Sequence, residues 1–149
     1  MVARRPIALA AGIVLVLEAA GLVLLHIVLA KLLAGQRMSL DGLDPDLMVT
    51  ATWVMGALLG AYVGLCGVLL VLLGVRDRVP GRAVRILLIS CAITHAVLGA
   101  VTVGLVGWAA FAYMMVVLGL IVASLLLYAP EGPEPEPAPP AERGGVAAA

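Results

Sequence analysis

The stretch "IALAAGIVLVLEAAGLVLLHIVLA", Ile7 to Ala30, carries only two polar side chains, Glu18 and His26, in 24 residues. As an α-helix rising 1.5 Å per residue it covers ~36 Å, enough to cross a hydrocarbon core of about 30 Å. It reads as a transmembrane helix, and comparable apolar runs follow it. The whole chain is 64% hydrophobic and 12% charged, with a mean hydropathy of +1.19. A soluble domain carries about one quarter charged residues, so these values place the protein among integral membrane proteins.

The 149 residues divide into one membrane domain over 1–129 and a tail over 130–149. A formal net charge of zero argues against a nucleic-acid partner. The expected partners are the lipid bilayer and, beyond it, a partner membrane protein or a second copy of the chain. Cys66 and Cys91 both sit in apolar runs and lack metal-ligand spacing, so they read as small buried hydrophobes. The chain has no Asn, one Lys and eight Arg, the residue usage of a GC-rich bacterial genome. The expected location is therefore a bacterial cytoplasmic membrane.

The fold class expected is all-α: a polytopic four-transmembrane-helix bundle with both termini cytoplasmic. The helices are placed at about 6–34, 45–75, 85–106 and 109–128. The first begins after Arg4-Arg5, as a signal peptide does. It is read as a retained helix because Glu18 interrupts it, it stays apolar well beyond signal length, and no cleavage-like small-residue site precedes a polar start. Asp44-Pro45 is a helix start, the carboxylate capping free N–H groups and the proline lacking one. "RDRVPGR", Arg76 to Arg82, breaks the chain at Pro80-Gly81. Gly107-Trp108 is read as the tight turn between the last two helices. The tail, "PEGPEPEPAPPAERGGVAAA", is rich in Pro and Glu and cannot bury enough surface to fold alone.

Sidedness follows from the cations. Arg4, Arg5, Arg76, Arg78, Arg82 and Arg85 flank one end of the helices. Only Lys31 and Arg37 flank the other, beside Asp41, Asp44 and Asp46, so the first end is expected to be cytoplasmic. The arginines between helices two and three also suit anionic head groups, although a topology signal accounts for them.

The second helix contains "GALLGAYVG", which spaces Gly56, Gly60 and Gly64 four apart, with Gly67 near the same face. Helices in lipid have little hydrophobic drive to associate, and such a groove admits a close backbone neighbour. A helix of the same chain is favoured as that neighbour over a second copy. Tyr62 and Cys66 fall on another side of the helix. In helix three, Cys91, His95, Gly99 and Thr102 form one narrow stripe at i, i+4, i+8 and i+11, expected to face inward because lipid offers an imidazole no partner.

Counting from the flanking arginines, Glu18 lies ~20 Å deep, His95 ~15 Å and Tyr62 ~21 Å, one layer near mid-membrane. A bare ion there costs on the order of 3 kcal/mol, so Glu18 is expected to be protonated or paired, and the pairing favoured is with His95. Tyr62 is a further candidate donor. His26, ~32 Å from Arg5, reaches the outer interface and is read as interfacial. The two histidines differ in depth by ~17 Å, too far for one bis-histidine haem. Cys66, Cys91, His95 and Glu18 would make a zinc site only if three helices converged on one point. Neither a metal nor a cofactor is expected. No nucleophile elbow, phosphate loop or carboxylate pair is found, and catalysis is not expected.

A single membrane-embedded Glu midway along the first of four helices, followed by small residues, resembles the small multidrug resistance exporters. That likeness rests on Glu18 alone and implies a carboxylate that binds protons and cationic drugs in turn. The greater length, the acidic outer loop, the tail and His95 in place of a Trp are departures from that family. In composition and layout the chain is similar to four-helix integral membrane proteins of actinobacteria, which implies no activity. The expected function is that of a non-catalytic accessory or assembly component with a buried polar layer. The alternative is a small proton-coupled transporter using Glu18.

Overall fold

The computed structural model of the protein describes residues 4–36 and 42–129. It contains four helices: α1 (Arg4–Gln36), α2 (Pro45–Arg76), α3 (Arg82–Leu105) and α4 (Trp108–Leu127). The sequence readings of Arg37, Asp41 and the tail lie outside the described residues.

Local chemistry sets the helix ends. Asp44 is extended (φ −61°, ψ 126°) and its Oδ1 accepts the Asp46 N–H at 2.8 Å, with Pro45 in the first turn. At the far end of α2, Asp77 adopts the left-handed conformation (φ 50°) and gives its N–H to the Leu73 carbonyl at 2.9 Å. Asp tolerates this region better than most residues. After Pro80-Gly81, α3 starts at Arg82, slightly earlier than the reading at Arg85 and within the usual scatter of helix ends. Gly107 (φ 113°, ψ −178°) makes the α3–α4 turn and sends its N–H to the Thr102 carbonyl at 2.9 Å. Only glycine reaches that backbone region without strain.

All four helices are long and apolar enough to cross a membrane. Between 17% and 33% of each helix's apolar window is buried within the bundle. The remainder, including Leu17, Leu58, Ile93 and Val116, faces outward on every side, far more apolar surface than a water-soluble monomer exposes. Sequential helices run antiparallel. α1 lies along α2, α3 along α4, and α4 closes onto α1, while α2 and α3 touch only slightly.

The α1–α2 seam is built on glycines. A Cβ at Gly12 would lie 2.7 Å from the Gly67 carbonyl oxygen and the Val71 nitrogen, and one at Gly67 would lie 2.9 Å from the Val16 nitrogen. Gly60 sits against Val23, Gly56 against His26, and Gly74 against Leu9. Gly64 differs, since a Cβ there would meet only Ala19 Cβ at an ordinary 3.5 Å. The physical reason is the helical period. Steps of four advance about 40° around the helix, whereas steps of seven fall back only ~20°. Gly60, Gly67 and Gly74, spaced by seven, therefore stay on the seam and Gly64 rotates off it. The seam's partner is a helix of the same chain.

Candidate functional site

Within the helical layer, Leu15, Val63, Cys66, Leu70, Leu88, Cys91 and Ile121 form an apolar centre in which His95 is completely buried. Glu18 of α1 reaches it from the side. Its Oε2 lies 3.2 Å from His95 Nε2, joining two helices that stand diagonally across the bundle. The two groups meet because Glu18 lies fourteen residues from the first residue of α1 and His95 thirteen from the first of α3, about 20 Å along each.

The proton count of the pair follows from geometry. His95 Nδ1 lies 2.9 Å from the Cys91 carbonyl oxygen, an acceptor only, so Nδ1 carries hydrogen and donates it. Nε2 then either accepts from a protonated Glu18 or donates to its carboxylate. Both arrangements place one shared proton between the groups and leave the pair with zero net charge. Glu18 Oε1 has no hydrogen-bond partner among the described residues, although Glu18 is nearly fully buried.

Cys91 Sγ lies 3.7 Å from His95 Nδ1, and Cys66 is buried in the same apolar cluster. Of the four residues considered for zinc, Glu18, His95 and Cys91 are thus strung along one line of contacts. Glu18 lies on the Nε2 edge of the imidazole and Cys91 on the Nδ1 edge, so they do not surround a common point. Among the described residues no group of three or more His, Cys, Asp or Glu side chains is arranged to hold a metal ion.

Tyr62, expected to extend the layer, turns instead toward α3. Its hydroxyl lies 2.7 Å from Ser90 Oγ, and Ser90 gives its own hydrogen to the Leu87 carbonyl at 2.8 Å, so Tyr62 is the donor. It ties α2 to α3 where those helices touch least. Thr102 does not join the pair either. Its Oγ1 bonds the Gly99 carbonyl at 2.7 Å, one turn back on its own helix, and it is half-buried while Cys91, His95 and Gly99 are buried. His26 bonds the Leu22 carbonyl through Nδ1 at 2.8 Å and packs on Gly56, eight residues beyond Glu18 on α1.

A second polar cluster, which sequence reading missed, closes the arginine-rich end. Arg4 grips Asp77 with two contacts, Nε to Oδ1 at 2.7 Å and Nη2 to Oδ2 at 2.8 Å, and Arg5 Nε adds a third at 3.0 Å. Tyr128 places its ring 5.5 Å from the Arg4 guanidinium and its hydroxyl 3.3 Å from both Asp77 Oδ1 and the Leu73 carbonyl. The hydrogen bond from Arg4 holds the Asp77 carboxyl below its ordinary range, and burial followed by the Asp77 contact pushes the Tyr128 phenol up. Asp77 escaped notice because sidedness is read from Lys and Arg alone. The signal that would have found it is its place directly after the last residue of α2, where a left-handed Asp turns back on the helix end.

A groove opens on the outer face of the bundle between α1 and α4. It is an open groove of about 360 Å³, and its lining includes Glu18, Leu17, Gly21, Leu22, Tyr113 and Met114. Compared with known protein families, with curated proteins and with solved structures, the chain gives no match, so its own residues carry the functional reading.

Proposed function

We propose that the chain is a small non-catalytic protein of a bacterial cytoplasmic membrane, an accessory or assembly component in which the Glu18–His95 pair locks the bundle in register. Both termini face the cytoplasm in this reading, since Arg4, Arg5, Arg76, Arg78, Arg82 and Arg85 gather at one end. The observation that carries the lock is the 2.9 Å contact of His95 Nδ1 with the Cys91 carbonyl oxygen, which calls for a hydrogen on Nδ1. If the shared proton left, Glu18 Oε2 and His95 Nε2 would face each other at 3.2 Å as two acceptors, one of them charged, inside a low-dielectric core. That opposition of acceptors supports a fixed structure over turnover.

A second reading, a proton-coupled transporter using Glu18, is supported by one observation, the unpartnered Oε1 beside the lateral groove. Proton flux in liposomes separates the two. The lock predicts none in the parent or in Glu18→Gln, and a lower melting temperature in Glu18→Leu. Substrate-linked proton movement in the parent that disappears in Glu18→Gln refutes the lock and establishes transport. Topology is tested by single cysteines in a Cys66→Ala, Cys91→Ala background. Ser124 is buried and unsuitable for labelling, whereas Ala129 is exposed. Ser39→Cys should label from outside the cell, and Ala129→Cys only after the membrane is permeabilised.

A further inference from the structure

The α1–α4 groove combines three properties. It lies at the height of the polar layer and opens on the apolar outer surface. Its volume of about 360 Å³ falls in the range of small-molecule sites, roughly 300–1,000 Å³. Its polar wall is Glu18, whose Oε1 is an acceptor with no donor and whose side chain is 6% exposed. An unsatisfied buried acceptor is costly, and acyl chains offer no donor.

We propose that this groove binds a neutral, lipid-soluble molecule that bears a hydroxyl group, with the O–H donated to Glu18 Oε1. The inference goes beyond the lock and shares with it only the single-proton count of the pair. That count decides the ligand's charge. A pair of zero net charge gives an ammonium ion no counter-charge, and bringing a cation to mid-membrane costs far more than bringing an alcohol. Tyr113 supplies the second half of the match. It borders the groove, is 45% exposed, and makes no hydrogen bond among the described residues. A hydroxyl both donates and accepts, so one ligand oxygen serves Glu18 and Tyr113 together; an ammonium only donates. Gly21 leaves the floor open, since a Cβ there would meet nothing within 4 Å. For the same reason a larger side chain at Gly21 fills the groove without disturbing the bundle.

The test uses the full chain in lipid nanodiscs, with hexadecanol as the probe and hexadecane and protonated hexadecylamine as comparisons. The Glu18 carboxyl band, assigned by difference infrared spectra against Glu18→Gln, reports binding. Hexadecanol should shift it saturably, hexadecane should not, and a photoreactive hexadecanol should label the groove. Tyr113→Phe removes one hydrogen bond and should weaken binding several-fold, up to about tenfold. Gly21→Leu should abolish it while the melting temperature holds. No saturable shift with hexadecanol overturns the proposal, as does equal labelling by the alkane or displacement by the amine at lower concentration. A carboxyl band that moves in Tyr113→Phe without ligand also overturns it, because Tyr113 would then be the donor to Oε1. So does a Gly21→Cys disulfide between two copies, which would make a second chain the occupant. The lock stands or falls separately, on melting and proton flux.

Discussion

Gly67→Ala tests the seam most directly, because its effect should be opposite to that of the same change at Gly64. At Gly67 the new methyl carbon would lie 2.9 Å from the Val16 nitrogen and 3.0 Å from the Gly12 carbonyl oxygen. Two of its nearest neighbours are backbone, so a side-chain rotation cannot relieve the crowding and α1 must move away along its length. Overpacking of a tight interior costs about 1–3 kcal/mol, and backbone neighbours place Gly67 toward the upper end. Alanine recovers about 1 kcal/mol of helix propensity over glycine, leaving a net loss of about 2 kcal/mol. At Gly64 the methyl would make an ordinary 3.5 Å contact with Ala19 Cβ, and only the propensity gain of about 1 kcal/mol remains. The two variants should therefore differ by about 3 kcal/mol, more than a hundredfold in the folding equilibrium constant. Reversible unfolding in mixed micelles, titrated with a denaturing detergent and followed by circular dichroism, reads this difference. Equal stabilities for Gly64→Ala and Gly67→Ala would refute the seven-residue seam and restore a four-residue one.

Four further outcomes follow from the polar contacts and the turn. His95→Leu and Glu18→Leu should each destabilise more than the double variant, because each single change strands a buried partner; a double-mutant cycle should give a coupling of about 1 kcal/mol, in the range found for buried polar pairs in membranes, and a coupling of zero would remove the pair as a stabilising element. Asp77, its carboxyl held low first by the hydrogen bond from Arg4, contributes stability that is complete above the unfolded value of about 4 and is lost as pH falls below it; Asp77→Asn should flatten that acid limb of melting temperature against pH. Tyr128 acts at the opposite extreme, since its raised value gives stability that is complete below about pH 10 and lost above it, and Tyr128→Phe should flatten the alkaline limb. Gly107→Ala should cost about 1–3 kcal/mol in the same unfolding assay, because a Cβ is strained at φ 113°; an unchanged midpoint would mean that the α3–α4 turn relaxes at no cost.

Helix number, the Asp44-Pro45 start and the Gly107 turn were legible because each depends on local chemistry: run length, a capping carboxylate, a glycine. The Glu18–His95 contact was legible because counting residues from each helix start fixes height. Rotation was harder to read. A single step of four barely separates adjacent turns, so Gly64 looked equivalent to Gly60, and only the partner's position, with Val16 and Gly12 against Gly67, reveals which spacing the seam follows. Tyr62 was placed at the right height, but its direction toward Ser90 depends on how α2 is turned. Asp77 and Tyr128 are far apart in sequence, and their meeting depends on α4 closing onto α1, which no local pattern encodes.

The slight contact between α2 and α3 bears on how the protein is made. A chain emerging from the ribosome completes the α1–α2 hairpin, with its glycine seam, before α3 exists. Glu18 is then synthesised 77 residues ahead of the imidazole that meets it. During that interval the carboxyl has no His95 to meet, so the first hairpin forms without the contact that later ties it to the second.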